Sequence, residues 1–310
     1  MSTSASPNLL IIAGATASGK TALAIDVCEE IGGELVGADS VQIYRGVDIG
    51  SAKPTATELR GIRHHLLDVV DIGEPFDAAR YVALADEAIV SIGARGRVPI
   101  VVGGAGLYVR ALVYGLADDL ASDAAIRARL NARASESEDS LRAMHREVQT
   151  IDREYAARIE PTDPIRIVRA LEVYEATGVA LSAHHARHRA QPPRYDATIV
   201  ALNVERATLR ARIAERTDAM LAKGWVNEVR DLLARGVAAD AKPLRSVGYA
   251  QVVDHVLGTL AYDAMRERIV IETAAFAKRQ RTWFRGERNV QWIDANRDRA
   301  EVLRDVLARR

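Results

Sequence analysis

Residues 14–21 read GATASGKT and follow directly on the apolar run LLIIA, Leu9–Ala13. No other stretch limits the fold so tightly. The segment matches G-x-x-x-x-G-K-[ST] in full, between a strand pattern and a helical one over Lys20–Ile31. In that setting the glycines let successive backbone N–H groups converge on phosphate oxygens, and the helix N-terminus adds partial positive charge. The cradle comprises Gly14, Ala15, Thr16, Ala17, Ser18, Gly19, Lys20 and Thr21. Lys20 supplies a point charge, and the Thr21 hydroxyl can hold Mg²⁺ or a phosphate oxygen. The pattern calls for a phosphate without saying whose.

The flanking sequence sets the fold class. Further strand patterns lie at Glu34–Ala38, Leu66–Val70 and Val98–Gly103, with a helical pattern at Ala78–Ala94. Near-continuous apolar strands alternating with helices predict an α/β fold, a parallel sheet flanked by helices. Leu116–Pro193 shows only helical patterns, at Ala124–Ala134, Leu141–Val148 and Asp163–Ala176, and ends in the linker-like QPPRY. These residues predict an all-helical insertion domain, 116–195, inside a core of 1–115 and 196–310. The core resumes with a strand at Thr198–Leu202. Helices at Ala207–Lys223, Val226–Arg235, Tyr249–Leu257 and Tyr262–Arg285 follow, then a strand at Val290–Ile293.

Composition excludes some classes. The single cysteine, Cys28, rules out a disulfide framework and a Cys-based zinc site. No apolar run approaches the ~18 residues of a membrane span. The opening MSTSASP lacks the basic and apolar regions of a signal peptide, so the expected location is cytoplasmic. Lys plus Arg and Asp plus Glu are equal at 42 each, so any nucleic-acid contact depends on local clustering. The i, i+4 pair His184 and His188 has no carboxylate or cysteine at usable spacing and reads as exposed or RNA-facing. His64 and His65 read as structural.

The acids point away from nucleotide hydrolysis. A P-loop NTPase places an acid at the end of a second strand to hold Mg²⁺. Val98–Gly103 ends instead in GGAG, and the acid, Asp39, follows Glu34–Ala38. A carboxylate at the end of a parallel strand lines the ligand crevice, where it can bind Mg²⁺ or accept a proton. The bland alternative is an Asp that caps a turn.

Seven segments then occur in order: GATASGKT, DSVQIYRGVDIGSAKP (39–54), HHLLDVVD (64–71), VVGGAGLYVRAL (101–112), DPIRIVRALEVYEATG (163–178), LRSVGYAQV (244–252) and AKRQRTWFRG (277–286). Together they resemble the tRNA dimethylallyltransferase family over about Leu9 to Asp294. Departures are Ala15 where the family usually has Pro, Ala105 where it has Thr, and Ser51 where Thr is frequent. The resemblance implies a P-loop NTPase-like sheet with the helical insertion contacting tRNA. It implies transfer of a dimethylallyl group from dimethylallyl diphosphate to N6 of adenosine-37, in tRNAs reading codons that begin with U, with release of pyrophosphate. It further implies Mg²⁺, the anticodon stem-loop as partner and a monomer.

Residue roles follow from the same resemblance. Lys20, Thr21 and Arg216 would serve the leaving group, and Arg110 would join the loop in holding the diphosphate. Thr16 would face the donor close to Asp39, which takes the amine proton. Contact with tRNA is expected at Asp39, Ser40, Val41, Gln42, Ala105, Arg127, Arg166, Arg169, Arg245, Ser246, Gly248 and Tyr249, with Gln42 in a bidentate pair with adenine. At helical spacing Lys278, Arg281 and Arg285 share one face and Phe276, Gln280 and Trp283 another. Lys278, Arg279, Arg281, Trp283 and Arg285 are therefore expected at RNA on a phosphate-tracking helix. The alternatives are an adenylate dimethylallyltransferase acting on a free nucleotide, a P-loop small-molecule kinase and a non-catalytic RNA-binding protein. The first has little use for the insertion or the basic helix. The acid-free strand end opposes the second, and the intact cradle with Asp39 opposes the third.

Overall fold

The computed structural model describes residues 8–116 and 123–310. Six parallel strands form one sheet: β1 (Leu9–Gly14), β2 (Gly33–Ala38), β3 (His64–His65), β4 (Val98–Gly103), β5 (Ala197–Asn203) and β6 (Val290–Asp294). Their order is β3-β2-β4-β1-β5-β6. All six residues of β1 are buried, as an interior strand covered on both faces requires. Helices α1 (Lys20–Ile31), α2 (Ala56–Leu59), α3 (Ala78–Ala94) and α4 (Gly106–Tyr114) accompany the first four strands. After β5 come α10 (Arg206–Ala222), α11 (Trp225–Ala234), α12 (Tyr249–Val256) and α13 (Tyr262–Arg285), and α14 (Arg299–Leu307) follows β6. This parallel sheet flanked by helices is the P-loop NTPase-like arrangement. Its core joins Leu10, Ile12, Leu35, Ile100, Val102, Val200 and Leu202 of the strands to Leu23, Ala24 and Val27 of α1, and to Val302 and Val306 of α14.

Residues through Val113 together with Arg194–Arg310 form one compact unit, and Tyr114–Pro193 form a second. The second contains α5 (Ala124–Glu136), α6 (Glu138–Ile151), α7 (Arg153–Ala156), α8 (Pro164–Thr177) and α9 (Leu181–Arg189). Their apolar faces meet around Leu130, Met144, Val148, Ile167 and Leu171. Helix α8 begins cleanly because Asp163 accepts the Arg166 N–H and Pro164 needs no partner there; it ends at Gly178 with φ 69°. Within this core lies a charge, the fully buried Glu172. It accepts from Arg127 at 2.9 Å, Arg169 at 2.9 Å and the Asp123 N–H at 3.1 Å. Burial pushes its pKa up, but the two guanidinium groups outweigh burial and hold it below the usual range.

One sequence expectation needs correction, and the boundary expected at QPPRY falls within that segment, between Pro193 and Arg194. The strand expected at Leu66–Val70 is absent, and the edge strand is the two-residue His64–His65. Leu66 and Asp68 adopt left-handed φ of 64° and 54°, which no strand can include. Leu66 and Val70 are apolar because turns bury them against the loop after β2, where Val69 and Val70 donate to the Ile43 carbonyl. The linker QPPRY is fastened at its end: Arg194 and Tyr195 bind Asp86 of α3 at 2.6 and 2.8 Å. Helices α2, α4, α7, α9 and α14 have no counterpart in the sequence reading. Among the described residues, no helix is long and apolar enough to cross a membrane.

Candidate active site

The site opens at the carboxyl ends of β1, β2 and β4, where strands hand over to loops. Gly19 takes φ 87° and Ala17 φ 61°, turning the chain so that α1 starts at Lys20. The Ser18 hydroxyl is buried without a hydrogen-bond partner. The Lys20 ammonium rests on the Ala15 carbonyl at 3.2 Å. Burial lowers its pKa to about 8; Asp39 nearby works against that shift, and Arg216 adds to it. Arg216 is itself lowered by burial and raised by Asp39 and Glu58. Lys20, Arg216 and Asp39 therefore form one electrostatic group.

Two hollows meet at this group. The larger, about 670 Å³, runs from Ser18, Gly19, Lys20 and Thr21 past Arg216 to the cations Lys53, Arg60, Lys223 and Arg299. The smaller, about 400 Å³, is lined by Thr16, Asp39, Ser40, Val41, Gln42, His64, Arg245, Ser246, Thr273, Phe276, Arg279 and Gln280. Ala17, Lys20, Thr21, Ala52, Arg216 and Met220 border both. One hollow is thus rich in cations around the phosphate loop, and the other holds the carboxylate.

Asp39 caps its own turn and still has one carboxylate oxygen to spare. Its Oδ1 accepts from the backbone N–H of Val41 at 2.8 Å and Gln42 at 3.2 Å, an Asx turn. Its Oδ2 makes no bond among the described residues and remains available to accept a proton. The acid-free end of β4 has a steric cause: a Cβ on Gly103 would fall 2.0 Å from the Ala38 carbonyl oxygen. His64 donates Nδ1–H to the His65 carbonyl at 3.1 Å, in the tautomer an oxygen partner requires. Burial pulls its pKa down to about 4, so it is neutral beside Asp39 near pH 7. No group of three or more His, Cys, Asp or Glu among the described residues could hold a metal alone. The donors present, the Thr21 hydroxyl and the Asp39 carboxylate, fit Mg²⁺ only as an ion carried by a substrate diphosphate.

Several expected residues sit elsewhere. Arg110 lines neither hollow; it binds Glu287 and lies 4.5 Å over the Trp283 ring. Trp283 packs against Gly106, where a Cβ would come within 2.2 Å of its ring, so its indole supports Arg110. Tyr249 is fully buried and donates to Glu228 at 2.6 Å, and Gly248 donates to Gln251 at 2.7 Å. Both support the Arg245–Ser246 turn from within. Arg127 and Arg169 are tied to Glu172, whereas Arg166 is exposed beside Asp163. Ala105 uses its N–H on the Ala38 carbonyl and its carbonyl on the start of α4. Arg285 lies over Trp292. Lys278 and Arg281 border a separate groove with Arg206 and Arg210, and none of the four has an ion pair among the described residues. The bidentate Gln42–adenine pair is corrected too, since both of its amide hydrogens go to the Ser51 and Ala52 carbonyls.

Gln280, on the packing face of its helix, does more than pack. Its Oε1 accepts the Thr16 N–H at 2.8 Å, and its Nε2 donates to the Gly104 carbonyl at 3.0 Å. This clamps the phosphate loop to the end of β4 and removes one N–H from the cradle. Phe276 and Thr273 line the smaller hollow from the same helix. Phe276 precedes Gln280 by four residues and Thr273 by seven, so the three share one helix face, which is the one signal the sequence offers.

With this geometry in place, comparison with known proteins is decisive. A family model described as IPP transferase matches residues 42–287. The chain belongs to the IPP transferase family. It is 47% identical over 299 residues to a protein of Anaeromyxobacter sp. (strain Fw109-5) named tRNA dimethylallyltransferase, covering 96% of this chain and 98% of that one. It is 46% identical to tRNA dimethylallyltransferase 1 of Trichlorobacter lovleyi, with 93% of each covered. Among solved structures it resembles the full-length tRNA isopentenylpyrophosphate transferase of Bacillus halodurans at TM-score 0.72 and 33% identity, over 97% of this chain and 96% of that one. It also resembles a eukaryotic dimethylallyltransferase acting on tRNA, at TM-score 0.76 and 25% identity, over 93% of this chain and 74% of that one.

Proposed function

We propose that this chain is a tRNA dimethylallyltransferase, moving the dimethylallyl group of dimethylallyl diphosphate to N6 of adenosine-37 and releasing pyrophosphate. The observation that carries the reading is the meeting of the two hollows at Lys20, Thr21 and Arg216, with Asp39 on the side away from the larger basic one. A diphosphate fits the first, and an adenine turned out of its loop fits the second.

The chemistry follows from that placement. The N6 lone pair attacks C1 of the dimethylallyl group while the C–O bond breaks, and that electron pair leaves on the bridging oxygen of pyrophosphate. The loop N–H groups, Lys20 and Arg216 stabilise the growing charge. Mg²⁺ held through Thr21 would neutralise further charge on the leaving group. Asp39 accepts a hydrogen bond from the amine through Oδ2 and takes its proton as the N–C bond forms. The unpaired cations Arg206, Arg210, Lys278 and Arg281 suit RNA phosphates, and Arg245, Arg279 and Arg166 offer further contacts. The anticodon stem-loop, the tRNAs reading codons that begin with U, a monomeric state and a cytoplasmic location complete the reading.

The test is to incubate the protein with Mg²⁺, dimethylallyl diphosphate and an unmodified tRNA whose anticodon ends in A, then digest the RNA and weigh the nucleosides. Prenylated adenosine is expected. ATP turnover without prenyl transfer would sink the reading.

A further inference from the structure

Gln42 lines the smaller hollow just beyond Asp39. Its Nε2 donates to two backbone carbonyls of its own loop, Ser51 at 2.9 Å and Ala52 at 3.1 Å. Neither oxygen can donate, so a flipped amide would press Oε1 against two acceptors; the orientation is forced. Both amide hydrogens are thereby consumed. Oε1 is the one polar atom this side chain has left, and it can only accept. A base read by it must present a donor, as the exocyclic amine of adenine does.

What holds those two carbonyls in place lies 180 residues away in sequence. Glu228 of α11 accepts the consecutive backbone N–H groups of Asp48 at 2.8 Å, Ile49 at 2.7 Å and Gly50 at 3.4 Å, and the Tyr249 hydroxyl at 2.6 Å. Successive N–H groups curled around one anion form a nest, and here the anion is the protein's own carboxylate. Trp225, one turn earlier, closes the arrangement: a Cβ would lie 2.1 Å from its indole at Gly50 and 2.4 Å at Gly248. On the other side of the loop Lys53 binds the Tyr44 carbonyl, Asp48 and Asp68, so the loop keeps one anchor without Glu228.

We propose that Glu228 is a positioning residue for base recognition: it fixes the 48–52 loop, whose carbonyls lock Gln42 as an acceptor for the amino group of the adenine beside the target. This rests on the tRNA reading above. Glu228 lines neither hollow, and it acts only through Gln42.

The experiment compares an anticodon stem-loop RNA with the same RNA in which the neighbouring adenine is replaced by purine, which lacks only the amine. Wild-type kcat/KM should fall about tenfold on that replacement, the worth of one hydrogen bond to a desolvated donor. In Glu228→Ala the penalty should shrink to near unity. Activity on the adenine substrate should fall about tenfold, mainly through KM, with affinity for inorganic pyrophosphate unchanged. Glu228→Gln, which keeps one acceptor for the Asp48 and Ile49 amides, should restore part of the discrimination. Gln42→Glu, which sets an oxygen against both carbonyls, should lose it. If thermal melts show Glu228→Ala unfolded, Glu228→Gln decides alone, by a reduced penalty. Full wild-type discrimination in a folded Glu228 variant overturns the proposal, as does a wild type that prenylates both RNAs equally. A wild type that transfers no dimethylallyl group overturns the functional reading as well.

Discussion

Asp39 divides its carboxylate, with Oδ1 held by the Val41 and Gln42 amides and Oδ2 available to substrate. Asp39→Asn keeps the turn acceptor and removes the base. Prenyl transfer at saturating substrates should fall about 10²–10⁴-fold, with tRNA affinity by filter binding almost unchanged. Lys20 gives a second test. Its pKa of about 8 lies below that of an unfolded lysine, so the folded protein sheds this proton first as pH rises. Inorganic pyrophosphate should therefore bind progressively more weakly above about pH 8 in calorimetry, with proton uptake on binding that is largest there. The sign for folding is opposite. Between the folded and unfolded pKa values the unfolded chain binds more protons, so the contribution of Lys20 to stability rises with pH through that window.

At the scale of elements, long helices lend single side chains to distant loops. Gln280 joins α13 to the phosphate loop and to β4. Gln280→Leu leaves the Thr16 N–H and the Gly104 carbonyl without this partner. It should lower kcat/KM for dimethylallyl diphosphate about tenfold in steady-state assays, since two bonds are lost at the cradle. In the helical unit, Glu172 organises α5 and α8 through Arg127 and Arg169. Glu172→Ala leaves arginines that can reach water, so the loss should be about 1–3 kcal/mol by urea unfolding, below the cost of stranding a buried charge. Because its pKa is held low in the fold, that stabilisation is present above the unfolded carboxylate pKa and drains away as pH falls below it.

At the scale of the whole molecule, a zero net charge conceals a local imbalance. Many arginines are tied to acids, such as Arg60, Arg266 and Arg297, whereas Arg206, Arg210, Lys278 and Arg281 share one groove with no ion pair among the described residues. Their mutual repulsion is relieved by a polyanion. Replacing Arg206 and Arg210 together by Ala should flatten the slope of log K for tRNA against log salt by about 1–2, without altering pyrophosphate affinity. Much of this molecule was legible beforehand. The phosphate loop, the parallel sheet and Asp39 at a strand end all follow from local pattern, because a strand buried on both faces must be continuously apolar and a cradle must be rich in glycine. Leu66–Val70 has a strand's pattern but forms turns, because burial in a turn and burial in a strand leave the same apolar signature.

The sequence by itself determined the sheet, the cradle and the presence of a carboxylate facing it, since each is written in contiguous residues whose backbone chemistry allows few alternatives. Only the tertiary structure decided which polar side chains are spent inside the protein and which are left for substrate. Tyr249, Gly248, Trp283, Arg127 and Arg169 look available in the sequence and are committed in the fold, while Gln280 and Glu228 look idle and hold the site's loops. The reason is physical: a hydrogen bond is settled by distance and direction, and apart from the three-residue pairs Gly248–Gln251 and Arg169–Glu172 the partners here lie from tens of residues to more than two hundred and fifty apart, where no local pattern encodes the pairing.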